Sequence, residues 1–356
     1  MICSRWLTVQ QNGVQWSSFL DLSSNSGFGQ QQRGPGPTPT SNSAGAAMNP
    51  LDTSSDPRPA PNAAAPGTPD REVAEFGAVH LEVTDLGRST AFWTDVIGLV
   101  LRSESQDEVE LGTKARTLVT LHPGAQTGFL QGHSGLYHLA VHPPTEADFA
   151  RILLRLIRVG WQISPTDHIM SKAIYLLDPD GITVEITLET PERLLEFRMD
   201  DNGPSVIRQD GTRSNGREPL DVRAVLAALP DDDTTLPVPE GTKIGHVHLY
   251  VGDLEAAYDF YRTFGFNQAV WAPRFHMGDL GGGGAFNHRI AVNTWQGVGA
   301  PQSPAGTARM RAFTLRLDTH ERLDHVLGTV DGPIEESDAG FLVRDPSLNT
   351  LLLSAN

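Results

Sequence analysis

Two histidines and one carboxylate interrupt short apolar runs in this chain: His138 in GLYHLAV (135–141), Glu185 in ITVEITLE (182–189) and His246 in IGHVHLYV (244–251). Two neutral imidazoles and a carboxylate hold a divalent first-row metal on one face and leave the opposite positions open, the geometry of non-heme Fe(II) oxygenases. Zinc more often takes a closed or nearly closed tetrahedral set, and the chain has no CxxC or HExxH spacing. Taken singly, each residue has an ordinary reading. A strand histidine usually packs or faces water, and alternation in ITVEITLE could simply point Glu185 at solvent.

A repeat joins the three. FGAVHLEVTDLGRSTAFW (76–93) aligns without a gap on IGHVHLYVGDLEAAYDFY (244–261), with Asp85 on Asp253, Phe92 on Phe260 and Ala78 where the second copy has His246. A second pair of units follows, in which Phe313 and Leu352 occupy the places of His138 and Glu185. The losses are complementary: the equivalent positions of all units together retain His138, Glu185 and His246. His248, whose repeat partner His80 survives in the half without the ligand, reads as structural.

The elements that must position these residues follow from local pattern. AVHLEV (78–83) is a short strand ending at Asp85, an apt helix N-cap. Leu254, Ala257, Tyr258 and Tyr261 recur at i, i+3, i+4, i+7, and Phe149, Ile152, Leu153, Leu156 and Ile157 form a second helical stripe. After each helix come short β-type runs broken by Gly, or by the Asp-Pro-Asp-Gly turn at 178–181. The expected fold is α+β, four βαβββ modules in two domains, 76–190 and 243–356. A linker rich in Gly, Pro and Asp, with one helical piece LDVRAVLAAL, occupies 191–242, and residues 1–75 read as a disordered extension of Gln, Ser, Gly, Pro and Ala. Met48, inside that extension, is a second place where the natural chain could begin.

Composition narrows the class. Carboxylates outnumber Lys and Arg by 43 to 27, giving a net charge of -16, which disfavours nucleic acid and anionic membrane surfaces as partners. The single cysteine, Cys3, permits no intramolecular disulfide and suits a reducing cytosol. No apolar run reaches the ~18 residues a spanning helix needs, and the expected location is cytoplasmic.

The four-unit pattern, with IGHVHLYVGDLEAAYDFY, GLYHLAV, DHIMSKAIYLLDPDGITVEI and NHRIAVNTW, resembles the vicinal oxygen chelate (glyoxalase, bleomycin resistance and extradiol dioxygenase) superfamily, and within it two-domain bacterial catechol 2,3-dioxygenases. The resemblance runs from about Phe76 to the C-terminus. It implies ring cleavage of a small aromatic diol with O2 at an Fe(II) site, Mn(II) being the alternative ion, with His138, Glu185 and His246 as ligands. Because these ligands come from different halves, it also requires the second and third modules to face one another. The resemblance further implies a proton-handling role for His288, hydrogen bonding to substrate by Tyr175, and a supporting place for His168. The family also contains oxygen-independent isomerases, lyases and thiol transferases, and metal-free binding proteins. Preferred catechol and oligomeric state, self-association included, are left open by the sequence.

Overall fold

The computed structural model describes residues 71–200 and 203–356. The extension 1–75, Met48 within it, falls almost wholly outside the described residues. The first module comprises β1 (Ala74–Val83), α1 (Leu86–Ala91), β2 (Val100–Glu104), β3 (Val109–Gly112) and β4 (Thr117–Pro123); the second β5 (Gly135–His142), α2 (Glu146–Val159), β6 (Ser164–Asp167), β7 (Ser171–Leu177) and β8 (Thr183–Glu189). Between the halves lie β9 (Leu194–Asp200), β10 (Gly203–Arg208), β11 (Arg213–Ser214), β12 (Glu218–Pro219) and α3 (Val222–Leu226). The third module is β13 (Lys243–Tyr250), α4 (Leu254–Thr263), β14 (Asn267–Ala272), β15 (Met277–Gly281) and β16 (Ile290–Asn293), and the fourth β17 (Arg309–Leu317), α5 (His320–Thr329), β18 (Glu335–Ser337), β19 (Gly340–Arg344) and β20 (Thr350–Ala355).

Every module thus reads strand, helix, three strands, as the pattern requires. Each helix starts where a side chain caps it: Asp85 accepts from the backbone N–H of Arg88 at 2.8 Å, Asp253 from Ala256 at 3.0 Å, Thr145 from Asp148 at 3.2 Å and Thr319 from Arg322 at 3.1 Å. Helix α2 stops at Gly160, whose φ of 71° is the left-handed conformation that glycine adopts at no steric cost. Its stripe buries Phe149, Ile152, Leu153 and Leu156, each worth about 1.5–3 kcal/mol of transfer free energy. Ile157, expected in that stripe, is 44% exposed, because the buried face is filled by the other four.

The modules pair across the halves. In both large sheets the first strand of a module runs parallel to its own last strand and antiparallel to the first strand of another module. One sheet, β18-β19-β20-β17-β1-β4-β3-β2, unites modules one and four; the other, β12-β6-β7-β8-β5-β13-β16-β15-β14, unites two and three. The hydrogen-bonded units therefore cross the division between 76–190 and 243–356 instead of following it. Apolar residues of both sheets and their helices form one continuous core, including Trp93, Phe149, Tyr258 and Phe313.

The segment 191–242 carries more structure than its composition suggested. Strands β9, β10 and β11 form a small antiparallel sheet, and β12 adds to the edge of the second sheet by pairing with β6. Helix α3 falls within the helical piece read in LDVRAVLAAL.

Candidate metal centre

The register of the second sheet assembles the site. Ala140 on β5 pairs with Glu185 on β8 at one side and with His246 on β13 at the other. His138 lies two residues before Ala140, so strand alternation places its side chain on the same face. Three strands from opposite halves of the chain thus deliver three polar groups to one point of the sheet. All three are buried, with 1–3% of their surface exposed. The same register corrects one equivalence: His138 sits opposite His248, and opposite His80 in the first sheet stands Ala312, not Phe313. Phe313 pairs with Val79 and faces the core, since a one-residue shift turns a strand side chain to the other face.

The donor atoms form a near-equilateral triangle: His138 Nε2 to Glu185 Oε2 3.0 Å, His246 Nε2 to Glu185 Oε2 3.1 Å, and His138 Nε2 to His246 Nε2 3.2 Å. Donors bonded at about 2.1 Å and at right angles stand about 3.0 Å apart, whereas tetrahedral donors at that bond length stand about 3.4 Å apart. The triangle matches one face of an octahedron.

Hydrogen bonding behind His246 shows what the site can hold. Glu189 Oε1, which accepts from Arg289 NH1 at 2.8 Å, also accepts from His142 Nδ1 at 2.9 Å, and this leaves His142 Nε2 to accept from His246 Nδ1 at 2.9 Å. His246 then presents a bare Nε2 lone pair to a carboxylate oxygen. Burial holds the His246 imidazole well below its usual pKa, so a proton does not fill the gap; burial likewise lowers His142 to about 4. A lone pair on His246 and the Glu185 carboxylate, with His138 Nε2 beside both, converge on one point and fit a divalent cation. His138 has no comparable support: its Nδ1 is buried without a partner among the described residues, and its ring is held by Tyr137 and Tyr175, with centroids at 4.7 and 5.8 Å.

The remaining expected residues surround the triangle. His288 precedes β16; its ring, 4.3 Å from that of His246, offers a nitrogen within 4.8 Å of nitrogens on both His138 and His246. Its Nδ1 donates to Asp279 Oδ2 at 2.6 Å. Burial disfavours the His288 imidazolium, but Asp279 and Glu185 outweigh it and raise the pKa. Tyr175 pairs with Glu185 across β7 and β8. His168 donates Nδ1–H to the Gly216 carbonyl at 2.6 Å, which leaves Nε2 to accept the Tyr175 hydroxyl at 3.0 Å. Burial, then Glu185, raises the Tyr175 pKa well above its usual value. Gly216 belongs to the segment between the halves, which therefore supplies one support of the site.

Sequence reasoning missed His142, Glu189, Arg289 and Asp279. For two of them a signal existed: His142 lies four residues after His138 and Glu189 four after Glu185, even spacings that keep strand side chains on one face. His248, read as structural, accepts from Asn293 Nδ2 at 2.8 Å and lies with Tyr137 and Trp295 in an aromatic layer beside His138, at centroid distances of 4.9 to 5.5 Å.

The chain is similar to proteins of one superfamily. Residues 75–186 match the family model described as glyoxalase/bleomycin resistance protein/dioxygenase superfamily. A catechol-2,3-dioxygenase of Bacillus subtilis (strain 168) is 30% identical over 286 residues, covering 77% of this chain and 95% of that protein. The crystal structure of a Bacillus subtilis protein, itself named only provisionally as a dioxygenase, superposes with a TM-score of 0.54 at 14% identity, over 80% of this chain and 86% of that one, and shares the fold. No helix among the described residues is long and apolar enough to cross a membrane.

Proposed function

Because the chain belongs to the glyoxalase/bleomycin resistance/dioxygenase superfamily, we propose that it is an extradiol dioxygenase, cleaving the ring of a catechol-type diol beside its hydroxyls with O2. The observation that carries this reading is the triangle of His138 Nε2, His246 Nε2 and Glu185 Oε2, whose 3.0 to 3.2 Å edges suit a divalent metal and whose residues would hold Fe(II). The similarity to a catechol-2,3-dioxygenase supports it. Bound at these atoms, Fe(II) would supply Lewis acidity and the redox capacity needed to engage O2.

The chain's own groups bind, orient and move protons. His288, aligned by Asp279, takes a proton from a catechol hydroxyl and later returns one. Tyr175, whose hydroxyl hydrogen goes to His168, accepts a hydrogen bond from a substrate hydroxyl. Tyr137, His248 and Trp295 present aromatic surface to a planar ring and keep water from it.

The test is oxygen uptake by protein loaded anaerobically with Fe(II) and given a panel of catechols, with the visible spectrum followed alongside. Uptake with a yellow ring-opened product is expected. Absence of uptake with every diol despite bound iron would move the protein to the oxygen-independent members of its superfamily.

A further inference from the structure

The first sheet has a recess beside the place where its own copy of this site would lie, lined by the equivalents of His246 and His288 but not by those of His138 and Glu185. Aligning Val79 with Val247 through their strand partners places Ala78 at His246, Ala312 at His138 and Leu352 at Glu185; Thr117, counted back along β4, falls at His288. Every metal ligand is gone. A recess of about 500 Å³ remains, bounded by Ala78, Thr117 and Thr314 and walled by Arg102, Arg116 and Arg316. That volume lies within the range of small-molecule pockets, roughly 300–1,000 Å³.

The charge of this recess has the opposite sign to that of the chain. Three guanidiniums face one carboxylate, Glu75, which meets Arg116 at 2.6 Å and Arg316 at 3.9 Å. Arg102 is fixed by neutral acceptors only, the Thr117 hydroxyl at 3.0 Å and the Thr113 and Lys114 carbonyls at 2.9 and 2.5 Å, so no anion among them offsets its charge. Arg316 makes no hydrogen bond among the described residues, and its side chain, like that of Arg116, is 45% exposed at the rim. Arg102 is thus unopposed and Arg116 and Arg316 share the one Glu75 carboxylate, so the recess carries net positive charge, which in a protein of net charge -16 favours an anion from solution. The floor, Gly77, Ala78 and Ala115, carries no side chain beyond a methyl group and suits a flat apolar body.

We propose that this recess, which borders the vestigial counterpart of the candidate metal centre, binds a small planar organic carboxylate, its carboxyl held by the Arg116 and Arg316 guanidiniums and its apolar body against Gly77, Ala78 and Ala115. Guanidinium and carboxylate are geometrically matched for paired N–H···O bonds. The assignment stands independently of ring cleavage.

The test is calorimetric titration of the full chain with benzoate, with neutral benzamide and with inorganic phosphate, repeated on the Arg116→Gln/Arg316→Gln double variant, while metal content is measured in both proteins. The expected result is one benzoate site per chain, weakened at least about tenfold in the double variant with metal content unchanged, and no comparable binding of benzamide. Benzoate binding that survives the double substitution would place it elsewhere and overturn the proposal, as would equal affinity for benzamide. Arginine-dependent binding of phosphate but not of benzoate would replace the organic acid by an inorganic oxyanion and overturn the assignment too.

Discussion

His142 Nε2 stands 2.9 Å from Nδ1 of His246, so the imidazole directed at the candidate metal site is itself held by a second imidazole. That second ring is in turn held by Glu189, and Glu189 by Arg289, whose guanidinium also binds Glu72 at 2.6 Å. The chain of donors fixes the tautomer of His246 and aims its lone pair. Gly245 is part of the same arrangement, because a Cβ there would lie 2.2 Å from the His142 ring.

His142 is therefore a positioning residue. Replacing it by Phe keeps the volume of the ring and removes both hydrogen bonds. The expected outcome is a 10- to 100-fold loss of metal affinity, of the order seen when supports of metal ligands are removed, with the circular dichroism spectrum retained. Competition against a chelator reads it out. Unchanged affinity would mean that His246 is oriented by packing alone.

Glu185 supplies the only negative charge of the triangle. Glu185→Gln preserves shape and hydrogen-bonding reach but leaves a neutral ligand set, and metal should no longer co-purify while thermal unfolding stays cooperative. Elemental analysis of the purified variant decides the matter, and a full complement of metal in it would end the assignment of Glu185 as a ligand.

His288 and Asp279 act as a pair in the proposed reaction. Loss of the imidazole in His288→Gln should lower kcat by about 10²- to 10⁴-fold, the usual contribution of a positioned proton-transfer group, with iron content unchanged. Asp279→Asn removes the charge that orients and raises the affinity of His288 for its proton, and should lower kcat in the same direction but less. Steady-state oxygen uptake on iron-quantified samples measures both. A KM effect without a kcat effect would assign the pair to binding instead.

Much of this was legible in the chain because the decisive signals are local. Caps at Asp85 and Asp253, helical stripes and strand alternation specify the modules, and the complementary absence of His246 and Glu185 counterparts points to the modules of the candidate site. Register is not local. Phe313 seemed the counterpart of His138 from an apolar run, yet cross-strand pairing, with a shift between His80 and Leu81, puts Ala312 there. The β9–β10 ribbon escaped notice because strands in a small exposed sheet bury little and so need no apolar alternation. Asp279 escaped because its partner His288 meets it only after β15 and β16 pair.

Asp178 offers a prediction about stability. Its counterpart Asp345 accepts the Tyr261 hydroxyl at 2.9 Å, but Trp93 stands in place of Tyr261, and both Trp93 Nε1 and Asp178 Oδ2 are buried without partners among the described residues. Burial, aided by the charge of Asp180 and only partly opposed by the backbone N–H groups of Ile182 and Asp180, raises the Asp178 carboxyl from 3.8 to about 7. Over that window the folded chain retains a proton that the unfolded chain has released. The contribution is therefore fully present below about pH 4 and is lost as pH climbs towards 7. Asp178→Asn keeps an oxygen to accept the N–H groups of Asp180 and Ile182, now at 2.9 and 2.8 Å, and cannot ionise. Its stability relative to the natural chain should rise between pH 4 and 7 by up to roughly 4 kcal/mol. Urea unfolding of both proteins across that range measures the difference. Parallel stability curves would show that Asp178 stays ionised in the fold.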